Sequence, residues 1–425
     1  MSSTVTTDPG LDDDRAEPPS PQGGLSGSLR GYVERVRGGD VGSLPALLGL
    51  VVLVAVFSTL RPTTFTNAFN FANLINQSAA VIVIAMGLVF VLLLGEIDLS
   101  AGFTAGTGGA VMAIVVTRQD QPWFLAVAAG LVTGAVIGTC IGLLVARLGI
   151  PSFVVTLAAF LGLQGVLLKL IGEGGSIPVR DSTLVALNNG TLPVWLGWLL
   201  VAAVIVGYAL TAVRTEQKRR SSGLVTAGMQ VVIAKVLVLG LLLVLATAYL
   251  SKERSRNPAL TSISGVPIVV VLLVVLLVGL TFLLTRTAFG RHVYAVGGNA
   301  EAARRAGINV QRVKLTCFVL SSTLAAVAGL LLASRSNGIT PSTGGAETLL
   351  YAVGAAVIGG TSLFGGKGKV SDAVLGGLVI AVIINGMGLL NQPAAVVFMV
   401  TGGVLLVAAS VDALSRKRAT ATGRV

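Results

Sequence analysis

RTAFGRHVYAVGGNAEAARRAGINVQRVK, residues 286–314, is a polar island between two long apolar runs, 266–284 and 315–333. It carries Arg286, Arg291, Arg304, Arg305, Arg312 and Lys314 against a single acid, Glu301. Such an excess of Lys and Arg in a short loop marks the cytoplasmic side of a membrane protein. Within it the sequence predicts a helix of about two turns, roughly 10 Å long at 1.5 Å per residue. Asn299 is placed to cap the first free N–H groups, and Glu301 puts negative charge on the first turn. Arg304 and Arg305 occupy the last turn, and Gly307 supplies the left-handed residue that ends a helix. Ala300, Ala302, Ala303 and Ala306 keep the surface small, so that another protein's backbone can come close. A docking helix for a cytosolic partner is preferred here over an amphipathic loop resting on lipid headgroups.

The rest of the composition agrees with a lipid solvent. Of 425 residues, 54% are hydrophobic and only 11% charged, where a soluble domain has about 25%. The mean hydropathy is +0.88. One core of this length cannot hide so much apolar surface. The net charge of +12 is not a nucleic-acid footprint, because the basic residues gather in loops assigned to the cytosol and aromatics are 5%. Cys140 and Cys317 both lie in apolar runs, so neither a disulfide nor a metal site is indicated. His292 is the single histidine and has no nucleophile beside it, which argues against catalysis. Residues 1–43 are polar and rich in Pro, Gly and Ser, so no cleavable signal peptide is expected there.

A membrane helix needs about 20 mostly apolar residues. By that measure the chain is an all-α polytopic transmembrane bundle of about twelve spans. They fall near 44–60, 78–94, 101–117, 123–146, 151–171, 193–213, 226–250, 266–285, 315–334, 346–363, 373–390 and 395–411. Residues 1–43 are expected to be a disordered cytoplasmic tail and 412–425 a second cytoplasmic tail. With both termini inside, 214–220, 286–314, 367–369 and 416–418 share one side. The opposite loops are poor in basic residues except for Lys252, Arg254 and Arg256, so the positive-inside bias supports this orientation. Lys169 and Lys235 sit near the ends of apolar runs, where a long side chain reaches the interface. TFTNAFNFANLINQS, residues 64–78, is expected as a separate short helix on the outer interface. Gly130, Gly134 and Gly138, like Gly102, Gly106 and Ala110, form small-xxx-small ladders for tight helix packing.

Two carboxylates, Glu96 and Asp98, stand in GEIDLSAG at 95–102. Acids at the end of an apolar helix usually have a function or a partner. Spaced i and i+2 they do not share a helix face, which argues against an acid/base pair. Asp98 ahead of Leu99 and Ser100 predicts an N-cap or Asx turn opening the third span. GGTSLFGGKGKVS at 359–371 fails as a phosphate loop: position 361 is Thr where Gly is needed, and Gly368 replaces the Ser/Thr that holds Mg²⁺. Irregular backbone at membrane depth is tolerated where it lines a cavity, so RSNGITPSTGGAET at 335–348 is the candidate mouth of a pathway. The candidate pathway groups are Asp98, Ser100, Gln164, Asn337, Glu347, Asn385 and Asn391. Amides suit carbohydrate hydroxyls, and they equally suit helix–helix hydrogen bonds.

GRHVYAVGGNAEAARRAGI, GEIDLSAG and AAVIGGTSLFGGKGKV (355–370) together resemble the signatures of sugar-importing ABC permeases of the ribose/xylose type, closest to the xylose-type branch. The resemblance spans about 67–412, with a transmembrane domain over 44–411. It implies a ten-span core, with a two-span insertion at 193–250 that ribose-type relatives lack. It further implies that the 286–314 loop docks on a P-loop ATPase, with Gly298, Asn299, Glu301, Ala303, Arg304, Arg305 and Gly307 as coupling residues. ATP and Mg²⁺ would then bind the ATPase and not this chain. The other implied partners are a second permease copy and an extracytoplasmic sugar-binding protein, in a plasma (inner) membrane importer for a pentose such as xylose. In the family a Gly usually stands where this chain has Glu96. The rival reading is an ion-coupled secondary transporter that uses Glu96 or Asp98.

Overall fold

The computed structural model describes residues 42–223, 228–255, 257 and 262–421. Nearly all of the tail expected over 1–43, together with Arg256 and the end of the C-terminal tail, lies outside them. Each of the twelve apolar stretches holds a helix. Among the described residues, nine helices are at least 18 residues long and apolar enough to cross a bilayer. Three are shorter: α1 (Leu44–Leu60), α4 (Ala101–Thr117) and α14 (Ala346–Gly359).

Helix α3 (Ala68–Leu93) is the axis of the molecule, with 83% of its apolar window buried. It packs against α13 (Val310–Ser336), α14 and α15 (Val370–Leu389), and its Ile82, Met86 and Phe90 are fully enclosed. Helix α5 (Trp123–Ala146) crosses α13 through the expected glycine ladder. A Cβ on Gly134 would lie 2.6 Å from the Ser322 carbonyl oxygen, and one on Gly138 2.6 Å from that of Phe318. Lipid gives helices no hydrophobic drive to associate, so such backbone contact is what holds the pair.

The outer helices are open. Helices α8 (Val194–Ser221) and α9 (Met229–Leu250), which make up the proposed insertion, bury 11% and 17% of their windows. Helix α10 (Val269–Arg286) buries 17%, and the apolar window of α16 (Ala394–Ala421) buries 6%. They pack chiefly on one another or on one face of the core, as helices bathed in lipid do.

One expectation changes. Residues 64–78 are not a separate interfacial helix: the one-turn α2 (Pro62–Phe65) is followed at once by α3, which Asn67 caps by accepting the Phe69 N–H at 2.9 Å. No Pro or Gly interrupts 68–86, and Asn70 and Leu74 are buried, so packing carries the helix straight through. Helix α16 runs on to Ala421, into the segment expected as the cytoplasmic C-terminal tail.

Candidate functional site

Three segments distant in sequence meet at one end of the bundle. After α10 the chain bends into α11 (Ala288–Gly298), and a Cβ on Gly290 would lie 1.9 Å from the Leu284 carbonyl oxygen. Helix α11 then lies against the end of α3. A Cβ on Gly297 would fall 1.8 Å from the Leu93 carbonyl oxygen, which accepts the Gly366 N–H at 2.9 Å. Gly95 and Gly365 pass each other with φ of +74° and +85°, so both positions favour glycine. The Tyr294 hydroxyl donates to the Gly368 carbonyl at 2.7 Å. Burial, then the nearby Asp372 charge, raises that phenol above its usual range. The 95–102, 286–298 and 359–370 motifs are thus one junction.

The helix expected just beyond is α12 (Ala300–Arg305). Asn299 Oδ1 accepts the Ala302 N–H at 2.9 Å. Glu301 pairs with Arg304 at 3.2 Å and Arg305 at 3.3 Å. Gly307 has φ +84°. Gly298, Asn299, Glu301, Arg304, Arg305 and Gly307 are exposed, whereas Ala303 is 6% exposed and packs into the protein's own core. Ala302 is the small residue on the open face.

The two acids have different partners. Glu96 pairs with Lys314 near the start of α13, both side chains half-buried or more. That partner accounts for an acid where the resemblance implies Gly. Asp98 is 1% exposed. Its Oδ1 accepts the Ser100 N–H at 3.0 Å and the Ser100 hydroxyl at 2.6 Å, and its Oδ2 accepts the Ser321 hydroxyl at 3.1 Å. This is the Asx turn the sequence predicts. Ser100 itself takes the N-cap position of α4 without a side-chain cap bond. Ser321 lies about 16 Å along α13 from Val310, at 1.5 Å per residue. The chain after α3 therefore climbs back from the level of Lys314 to that of Ser321 before α4 begins.

A second irregular segment enters the bundle from the other end. Asn337 ends α13 in the left-handed conformation (φ +52°). Strand β2 (Gly338–Ile339) pairs antiparallel with β1 (Ile177–Pro178), which follows α6 (Ser152–Ile171). Residues 339–345 then lie along α4. Cβ atoms on Gly106 and Gly102 would each fall 2.3 Å from carbonyl oxygens, of Thr343 and Gly344 respectively. Gly329, whose Cβ would meet the Ala105 carbonyl oxygen at 1.9 Å, stands about 10 Å before the end of α13.

The seven pathway candidates do not form one cluster. Asp98 and Ser100 share the inner break. Asn337 lies 3.4 Å from Asn189 of α7 (Ser182–Asn189). Glu347 accepts the Tyr351 hydroxyl at 2.9 Å on the first turn of α14. Asn385 makes a reciprocal amide pair with Asn70, both bonds 2.9 Å, so its polar group ties α15 to α3. Gln164 and Asn391 are exposed. Ser321 and Lys314 were missed, although Ser321-Ser322 inside an apolar run was a visible signal. Thr104 and Ser322 hydroxyls are buried without a partner. Among the described residues no group of His, Cys, Asp or Glu could hold a metal ion.

The family model "Branched-chain amino acid transport system / permease component" matches residues 70–187 and 182–409. The chain is 35% identical to the xylose transport system permease protein XylH of Escherichia coli K12, over 88% of this chain and 92% of that one. It is 30% identical to the ribose import permease RbsC of the same organism, over 86% and 92%. It is 28% identical to the D-allose transport system permease AlsC, again of that organism, over 87% and 90%. No solved structure matches it.

Proposed function

The chain belongs to the permease family of ABC sugar transporters, and from that premise we propose that it imports a pentose, with xylose the first candidate. It is a multi-pass inner-membrane protein, the membrane-spanning subunit of the importer and not an enzyme. Its energy comes from a separate ATPase subunit, and a substrate-binding protein delivers the sugar. ATP and Mg²⁺ belong on that ATPase. A second copy of the permease completes the pathway, and the lipid-facing outer helices include the two-span insertion at 193–250.

The observation that carries the coupling proposal is the junction of α11 with the ends of α3 and α14. Through Gly297, Leu93 and Gly366, a push on α12 reaches the break that precedes α4 by rigid backbone contact. In this reading the exposed face of α12 docks on the ATPase. Closure of the ATPase then shifts the two irregular segments at membrane depth. The ion-coupled rival is weakened because Glu96 has a lysine partner and both Asp98 oxygens accept hydrogen bonds.

Uptake of labelled xylose into vesicles holding permease, ATPase and binding protein tests the proposal. Uptake is expected to require ATP and all three proteins and to survive an ionophore. Uptake that continues without ATP and collapses with the ionophore would establish the rival.

A further inference from the structure

We propose that α8, α9 and the end of α10 form a binding site for the phosphate headgroup of an anionic lipid. Side chains of the three helices line an open pocket of about 340 Å³, with Arg219, Lys235 and Arg286 together with Glu216, Tyr208 and Thr215 on its walls. All three cations are exposed, and among the described residues none of them makes an ion pair or hydrogen bond. Glu216 is 7% exposed, and its Oε1 is engaged by the Gly228 N–H at 2.9 Å. One fixed carboxylate faces three cations from three different helices, so the pocket keeps an excess of positive charge.

The place of that excess is informative. Lys235 lies about 9 Å along α9 from Met229, and the Thr215 hydroxyl and Tyr208 ring extend the pocket in the same direction. From there the long Lys235 side chain reaches back toward the interface, which brings its ammonium toward the Arg219 and Arg286 guanidiniums, and like charges gathered in one pocket call for an anion. The back of the pocket is apolar, formed by the buried Val231 and Val232. The flanks beyond carry exposed Leu210, Leu237, Leu241 and Phe282. A charged end over an apolar wall fits a phospholipid, with phosphate against the cations and acyl chains along the flanks. A free phosphate would leave the apolar flanks uncovered. Basic pockets between membrane helices are suited to this chemistry. The choice of leaflet, but not the chemistry, rests on the orientation proposed above.

Native mass spectrometry of the purified full chain with added phosphatidylglycerol or phosphatidylcholine tests this without sugar, ATP or partners. Its failure would therefore leave the importer reading untouched. Phosphatidylglycerol is expected to be retained over phosphatidylcholine, with retention about fivefold weaker for each charge removed in Arg219→Gln, Lys235→Gln and Arg286→Gln. Lys235→Arg should keep it. Glu216→Gln still accepts the Gly228 N–H and should tighten binding. Equal losses of both lipids in the Gln variants, at unchanged melting temperature, would reduce the pocket to ordinary lipid contact and overturn the proposal. Displacement of the lipid by inorganic phosphate alone would overturn it in favour of a free-anion site.

Discussion

At the scale of single residues, Asp98 separates structure from ion chemistry. Its two oxygens accept one N–H and two hydroxyls, and the closest ligands come from Ser100 just after it in sequence and Ser321 on α13. An asparagine in its place keeps an oxygen for the Ser100 N–H, and the new amide can donate to Ser321. Asp98→Asn is therefore expected to cost about 1 kcal/mol or less and to keep most uptake. Asp98→Ala leaves buried donors without an acceptor, and a loss of roughly 1–3 kcal/mol is expected, with transport falling alongside. Thermal unfolding and uptake of the two variants make the comparison. Uptake abolished by Asn in a stably folded protein would mean that the charge itself is needed.

Elements carry two further predictions. In α12, Ala302 is exposed and Ala303 is packed inward. Ala302→Trp should change stability by no more than about 0.5 kcal/mol. Because it fills the space a partner needs, it should also lower ATPase co-purification and uptake by about tenfold or more. Ala303→Trp overfills the core instead and should destabilise by ~1–3 kcal/mol. Normal co-purification of Ala302→Trp would leave α12 as a loop on lipid. In the loop after α9, Glu253 accepts from the Ser262 hydroxyl and from the Ser255 and Ile263 N–H groups, which lower its carboxyl to about 2. A depressed folded value stabilises the loop above the ordinary carboxylate range near 4.5, and the contribution fades as pH falls through about 2. Hydrogen exchange at Ser255 and Ile263, corrected for intrinsic rates, should show protection at pH 5 to 6 and a progressive loss below about pH 4.5. Flat protection down to pH 2 would contradict the role assigned to the carboxylate.

For the whole molecule, the prediction concerns sidedness. Loops assigned to the inside meet at one end, as Gly95, Gly297 and Gly365 do. Loops assigned to the outside meet at the other, where Asn189 bonds Ser334 and Thr191 pairs with Pro267. The basic residues that spoil the charge bias are partly engaged in their own loop. Arg254 donates to the Leu250 and Gly265 carbonyls, and the Lys252 ammonium stands 5.1 Å from the centre of the Tyr249 ring. In a variant lacking Cys140 and Cys317, single cysteines at Ser255 and Ser342 should react with an impermeant reagent on intact cells. Cysteines at Ser221 and Arg304 should react only after permeabilisation. Outside labelling at Ser221 would reverse the insertion helices.

Rules that act within a turn or two were legible in the sequence, and they gave the twelve apolar stretches, the caps of α12 at Asn299 and Gly307, and the Asx turn at Asp98. The glycine ladder of α5 was legible too, because only close backbone approach uses small residues at that spacing in lipid. Partners across the chain were not. Lys314 meets Glu96 across 218 positions, Ser321 meets Asp98 across 223, and Asn385 meets Asn70 across 315. Each of these pairs depends on which helices lie side by side and at what height, which hydropathy does not encode. The inward turn of Ala303 and the depth of 339–345 on α4 were decided in the same way. The second follows from how closely Gly102 and Gly106 let backbone approach backbone, the first from the apolar cluster that Ala303 joins, and both are properties of the packed bundle and of no single segment.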